Sequence, residues 1–243
     1  MGIKFKNPFR KGDQHVVSNL KAEREYILTK NSPFSIVEEY KTLRTNIQFS
    51  TTSDGCKVIG VSSSGPGEGK SITCINLAIT FAETDARVLL IDADLRKPKI
   101  SGLLKAKAIP GLSNVLVNMN SAEESIQTMK FQNYSVDLLL SGDIPPNPSE
   151  LLGSNKMKVL TERLSEHYDY IIIATPPVGV VADTVILSSL FTGIVFVVRA
   201  DQTQKEIVQS SVSQLKFAGA NVLGFVLNGV NSKGTRRYSA YRA

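Results

Sequence analysis

From residue 57 onward the chain alternates short, nearly continuous apolar runs with longer stretches in which apolar positions recur every three or four residues. KVIGVSS (57–63), RVLLIDAD (87–94), VDLLLSG (136–142), DYIIIAT (169–175), GIVFVVRA (193–200) and NVLGFVLNGV (221–230) are bounded by turn residues and rich in β-branched side chains. That is the pattern of strands buried on both faces. Between them, SITCINLAITFAE (71–83), residues 182–191 and residues 203–218 read as helices, and NPSELLGSNKMKVLTERLSEHY (147–168) as one long amphipathic helix. The region up to about residue 134 is mixed, with short helical pieces around GLSNVL and AEESIQTM. Ahead of the first strand, SPFSIVEEYKTLRTNIQFS (32–50) predicts a helix with Ser32 as N-cap and Pro33 in its first turn; Ile36, Tyr40, Leu43 and Ile47 share one face. The alternation predicts an α/β fold, a doubly wound, mostly parallel sheet with helices on both faces, forming one domain over 32–230. Such sheets take their ligands at the carboxyl ends of the strands.

Composition adds little beyond an ordinary globular chain, at 42% hydrophobic and 21% charged residues. No apolar run approaches the ~18–20 residues that would span a bilayer, and the N-terminus lacks the apolar core of a secretory signal. Cys56 and Cys74 have no metal or redox spacing and suit a reducing compartment. Charge placement says more. Residues 1–30 hold seven Lys/Arg against three acids, and 231–243 hold four against none, while the middle is near neutral. Residues 1–31 and 231–243 are therefore expected as flexible basic tails, either simply solvated or held near an anionic surface.

The chemistry begins at SGPGEGKS (64–71), between the first strand and its helix. This is the phosphate loop G-x-x-x-x-G-K-[ST] with Ser64 in place of the first glycine. Gly65, Pro66, Gly67, Glu68 and Gly69 form a turn whose amides can face an anion, with Ile72 just inside the helix that follows. Lys70 brings a point charge to the β- and γ-phosphates, and the Ser71 hydroxyl is a Mg²⁺ ligand. The expected cofactors are ATP and Mg²⁺. Asp92 and Asp94 leave the second strand at the same sheet edge, where acids need a counter-ion; Mg²⁺, Lys70 and Arg96 are the candidates. Either can ligate metal or accept a proton from an attacking hydroxyl, and either can instead cap the following turn. The fourth strand, where a second magnesium-orienting Asp is normal, ends at Ala174. Asp183 reads as an N-cap, and Asn228 as an adenine contact or a turn residue.

SGPGEGKS, LLIDADLRKP, GLSNVL, SGDIPPNPSELL and IIIATPPVG, in that order, resemble the bacterial tyrosine kinases of capsule and exopolysaccharide synthesis, in their stand-alone Gram-positive form. SGDIPPNPSELL, and Gly65 where the septum-positioning and plasmid-partitioning ATPases place a lysine, separate the chain from those nucleotide switches. The resemblance implies ATP-dependent phosphorylation of tyrosine. Asp92 would accept the tyrosine proton, with Lys70 and Asp94 also in the catalytic set and Ser71, Asp92 and Asp94 around the metal. EEYKTLRTN resembles the family's ring-forming motif, so Glu38, Lys41 and Arg44 would join subunits into a homo-oligomeric ring, with Lys41 standing where arginine is usual. Tyr238 and Tyr241 would be the autophosphorylated tail tyrosines. The implied partners are a membrane-embedded activator with a cytoplasmic tail, a cognate tyrosine phosphatase, and protein substrates in sugar-nucleotide or polysaccharide synthesis, with no nucleic acid. The implied location is cytoplasmic, beneath the membrane. Two alternative readings stay open, a nucleotide-switch ATPase that shares the loop and Asp92, and, because the carboxylate is missing at Ala174, a member that binds nucleotide and transfers nothing.

Overall fold

The computed structural model describes residues 20–52 and 54–230, so Tyr238, Tyr241 and the basic residues of 1–19 and 231–243 lie outside it. Seven strands form one sheet in the order β3-β4-β2-β5-β1-β6-β7. These are β1 (Lys57–Ser63), β2 (Val88–Asp92), β3 (Ile126–Phe131), β4 (Tyr134–Leu139), β5 (Tyr170–Ala174), β6 (Gly193–Arg199) and β7 (Val222–Asn228). Every neighbouring pair is parallel except β3–β4, which is antiparallel. The central strands bury both faces, which is why their sequences read as unbroken apolar runs.

Helices cover both sides. On one face lie α1 (Phe34–Ser50) and α2 (Lys70–Ala82), packed with Ile59, Val61, Leu90 and Ile172. The short α3 (Ile100–Leu104), following β2, joins that side. On the other lie α4 (Leu112–Leu116), α6 (Pro148–Leu152), α7 (Asn155–Ser165) and α8 (Asp183–Leu187), over Leu89, Ile91, Ile171 and Ile173. The one-turn α5 (Ala122–Ser125) precedes β3, and α9 (Lys205–Phe217) packs through Leu215, Val208 and Val212 beside Phe196.

Several expectations need correcting. AEESIQTM is one helical turn followed by a strand: the Ser121/Glu124 capping box opens α5, and the chain then pairs with β4 as an edge. The long helix over 147–168 breaks at Gly153–Ser154, because Ser154 accepts from Met157 N and starts a new N-terminus. Ser32 does not cap α1. Its hydroxyl accepts from Thr29 N, Pro33 is the N-cap residue, and Val37 rather than the exposed Ile36 packs on the core. Residues 20–31 are not part of a tail. Leu28 is buried with its N–H on the Asn76 side chain, and Arg24 donates to the carbonyls of Gly102 and Leu103.

Candidate functional site

The carboxyl ends of β1, β2, β5, β6 and β7 converge on the loop 64–69. Gly67 and Gly69 have φ of +78° and +99°, a region in which a side chain would be strained. A Cβ on Gly69 would also fall on the Asn228 amide nitrogen, whereas the space above Gly67 is open. The loop is held from outside. Asn228 Nδ2 donates to Glu68 O at 2.9 Å, Arg199 Nη1 to Gly67 O at 3.3 Å, and Gly179 N to Ser64 O at 3.1 Å. Asn228 therefore does reach the site from the end of β7, and its contact is with the loop backbone.

Lys70 is the electrostatic centre. Its ammonium donates only to Gly65 O, at 3.4 Å, and has no ion pair among the described residues. Burial pulls its pKa below the ordinary lysine value, against the opposing charges of Asp94 and Glu68. A desolvated cation at the start of a helix, below a loop of left-handed glycines, fits a phosphate chain. Ser71 stands half-buried beside it, and Ile72 turns into the core cluster.

Asp92 and Asp94 arrive from β2. Asp92 is 1% exposed and accepts from Asp94 N at 3.3 Å and Ile100 N at 3.2 Å, so it also caps α3. Burial, reinforced by the charge of Asp94, lifts its carboxyl to about 7. Asp94 is half-exposed and accepts from Lys97 N at 3.0 Å. No group of three or more metal-ligating side chains occurs among the described residues. Hard oxygens on Ser71, Asp92 and Asp94 nevertheless fit a Mg²⁺ that keeps waters and phosphate oxygens in its shell.

Ala174 stands in register between Asp92 and Val61, on the α2 side of the sheet, and is 4% exposed. Adjacent strands lie about 4.8 Å apart, so a carboxylate at 174 would be the immediate lateral neighbour of Asp92.

Arg96 does not serve Asp92 or Asp94 as a counter-ion. Its guanidinium forks onto Asp183, Nε to Oδ2 at 2.8 Å and Nη2 to Oδ1 at 3.0 Å, and Nη2 also donates to Ser149 Oγ at 2.8 Å. Ser149 in turn donates to Asp183 Oδ1 at 2.7 Å. Burial pushes the fully buried Asp183 carboxyl up, but Arg96 and Ser149 outweigh it and leave it below its usual range. Asp183 is thus the first residue of α8, with Ala182 as N-cap residue, and a structural anion. Spacing could not reveal this link, because 87 residues separate the partners.

The residues of the ring-forming resemblance lie apart on α1. Lys41 pairs with Glu38 at 2.8 Å within the chain, and Arg44 Nη1 donates to Thr80 O at 2.6 Å. Burial shifts both thiols upward, so Cys56 and Cys74 are poor nucleophiles. No described helix is long and apolar enough to cross a membrane.

A family model described as an AAA domain matches residues 56–215. The tyrosine-protein kinase YwqD of Bacillus subtilis is 39% identical over 204 residues, 84% of this chain and 85% of that one. The putative tyrosine-protein kinase CapB of Staphylococcus aureus is 36% identical over 194 residues, 80% and 84% of the two chains. Among solved structures, the kinase domain of the Escherichia coli tyrosine kinase ETK superposes with a TM-score of 0.78 at 32% identity, covering 87% of this chain and 85% of that one.

Proposed function

The chain belongs to the bacterial tyrosine-protein kinases, built on a P-loop AAA domain, and on that premise we propose that it moves the γ-phosphoryl group of ATP to tyrosine hydroxyls, its own tail tyrosines included. The observation that carries this reading is Lys70, a desolvated cation with no ion pair among the described residues, at the same sheet edge as two carboxylates. In this reading Lys70 and the amides of 65–70 hold the β- and γ-phosphates, and Asn228 and Arg199 keep the loop in shape. Ser71, Asp92 and Asp94 would hold Mg²⁺, which when bound would neutralise charge on the transferred group. Asp92 takes the tyrosine proton as the oxygen–phosphorus bond forms and ADP leaves.

The finer reading follows the same premise. Phosphorylation of Tyr238 and Tyr241 and assembly through Glu38, Lys41 and Arg44 regulate capsular or exopolysaccharide synthesis and export. The chain works in the cytoplasm beneath the membrane, with a membrane-embedded activator that presents a cytoplasmic tail, a cognate phosphatase, and protein substrates in sugar-nucleotide or polysaccharide synthesis. Ala174 weakens the metal site, so transfer by this chain is slow. The test is a mass-spectrometric time course of the tail with Mg-ATP and an activator tail peptide. Ala174→Asp should raise the rate at least about tenfold, roughly 1.4 kcal/mol of barrier. Equal rates would make Asp92 and Asp94 sufficient; no phosphotyrosine in either chain would refute the kinase reading.

A further inference from the structure

Glu68 is an anomaly in a loop read as a phosphate cradle. A carboxylate two residues from Lys70 should repel a polyphosphate, and at close range in a partly desolvated site that repulsion is strong. The structure shows how its charge is contained. Glu68 is 6% exposed and both oxygens are occupied. Oε2 accepts from Ser64 N at 3.0 Å, which ties the fifth residue of the loop back to its first. Oε1 accepts from the Thr203 hydroxyl at 2.7 Å.

Thr203 lies between β6 and α9, outside every motif of the sequence. Its hydroxyl is committed in one direction. The oxygen accepts from Arg199 N at 3.2 Å, and the single proton goes to Glu68. An amide cannot accept and an ionised carboxylate cannot donate, so no other arrangement of these three groups satisfies them all. Arg199, the last residue of β6, also donates from its side chain to Gly67 O. The loop is thus braced from the β6 edge at both its backbone and its one acidic side chain.

We propose that Thr203 is a positioning residue for the nucleotide, its hydroxyl holding the Glu68 carboxylate on the β6 side of the loop and out of the phosphate cradle. This rests on the reading of 64–71 as the ATP phosphate loop. The experiment is calorimetric titration of the folded chain with Mg-ADP, its fold checked by circular dichroism. Thr203→Val replaces the hydroxyl by a methyl of the same shape and should weaken binding about tenfold. Thr203→Ser keeps the hydroxyl and should bind within about twofold of the parent. Thr203→Val/Glu68→Gln removes the freed charge and should recover most of the lost affinity, which a purely structural role of Thr203 would not produce. Unchanged affinity in Thr203→Val, equal losses in the Val and Ser variants, or no recovery in the double variant would each overturn the inference. A parent chain that does not bind Mg-ADP would instead refute the phosphate-loop reading itself.

Discussion

Replacing Arg96 by Met should cost more stability than replacing its partner Asp183 by Asn, and it should invert the local pH dependence. Asp183 is 0% exposed, whereas the Arg96 side chain keeps 37% of its surface in water. Loss of Arg96 strands a buried carboxylate with only Ser149 as donor, and breaking a buried pair in this way costs about 3–5 kcal/mol. The reverse change, Asp183→Asn, leaves a guanidinium that can turn to solvent and an amide that can still meet Ser149, so about 1–2 kcal/mol is expected. The pair holds the Asp183 carboxyl below its usual value. Its contribution in the parent is therefore complete above the unfolded carboxyl pKa of about 4 and lost only as the pH falls below it. In Arg96→Met only burial and Ser149 remain, the carboxyl moves above its usual value, and stability should fall as the pH rises from about 4 to 7. Urea denaturation of the three chains at pH 5 and pH 8 measures both effects. A cost below about 1 kcal/mol for Arg96→Met, or no difference between the two pH values, would mean that the fork is a solvent-screened contact.

Lys70→Met should remove most ATP affinity while leaving the nucleotide-free melting temperature unchanged or higher, since the ammonium is desolvated with no ion pair among the described residues; a lower melting temperature with intact binding would make Lys70 structural. Asp92→Asn should stabilise the nucleotide-free protein. The folded carboxyl titrates near 7, so in the parent its contribution is intact below about pH 4 and is lost as the pH rises towards 7. The gain should grow over that window and level off above it at a few kcal/mol, as denaturation across pH will show. Glu38→Lys sets two ammonium groups on one turn of α1 and, if that face joins subunits, should shift the mass by light scattering to the monomer; an unchanged mass would leave α1 an ordinary surface.

The sheet was legible because parallel strands buried on both faces leave apolar runs that need no partner to be recognised. β3 escaped for the opposite reason. It is a half-exposed antiparallel edge whose sequence, IQTMKF, follows a capping box and so carries a helical signal into a strand. The site divides in the same way. Lys70, Ser71, Asp92 and Asp94 are adjacent to strand ends and follow from local pattern plus sheet geometry. Arg96–Asp183–Ser149 and Glu68–Thr203 join segments far apart in the chain, where each residue alone looks like an ordinary surface polar group. The start of α1 misled for a related reason. Ser32 has the right side chain for a cap, but its hydroxyl is spent on Thr29.

The strand order has a consequence for how the protein is made. β1, an inner strand of the sheet, is the first of the seven to be synthesised, yet its neighbours are β5 and β6, with Lys57 beside Tyr170 and Ile59 beside Gly193. At ribosomal rates of about 5–20 residues per second, the strand that carries the phosphate loop waits on the order of ten seconds for either of them. During that interval its backbone N–H and C=O groups are unpaired on both edges, the condition in which chains pair with the wrong partner. A fragment that stops before β5 keeps those edges open permanently. The phosphate loop therefore gains its flanking strands only when the last third of the chain arrives.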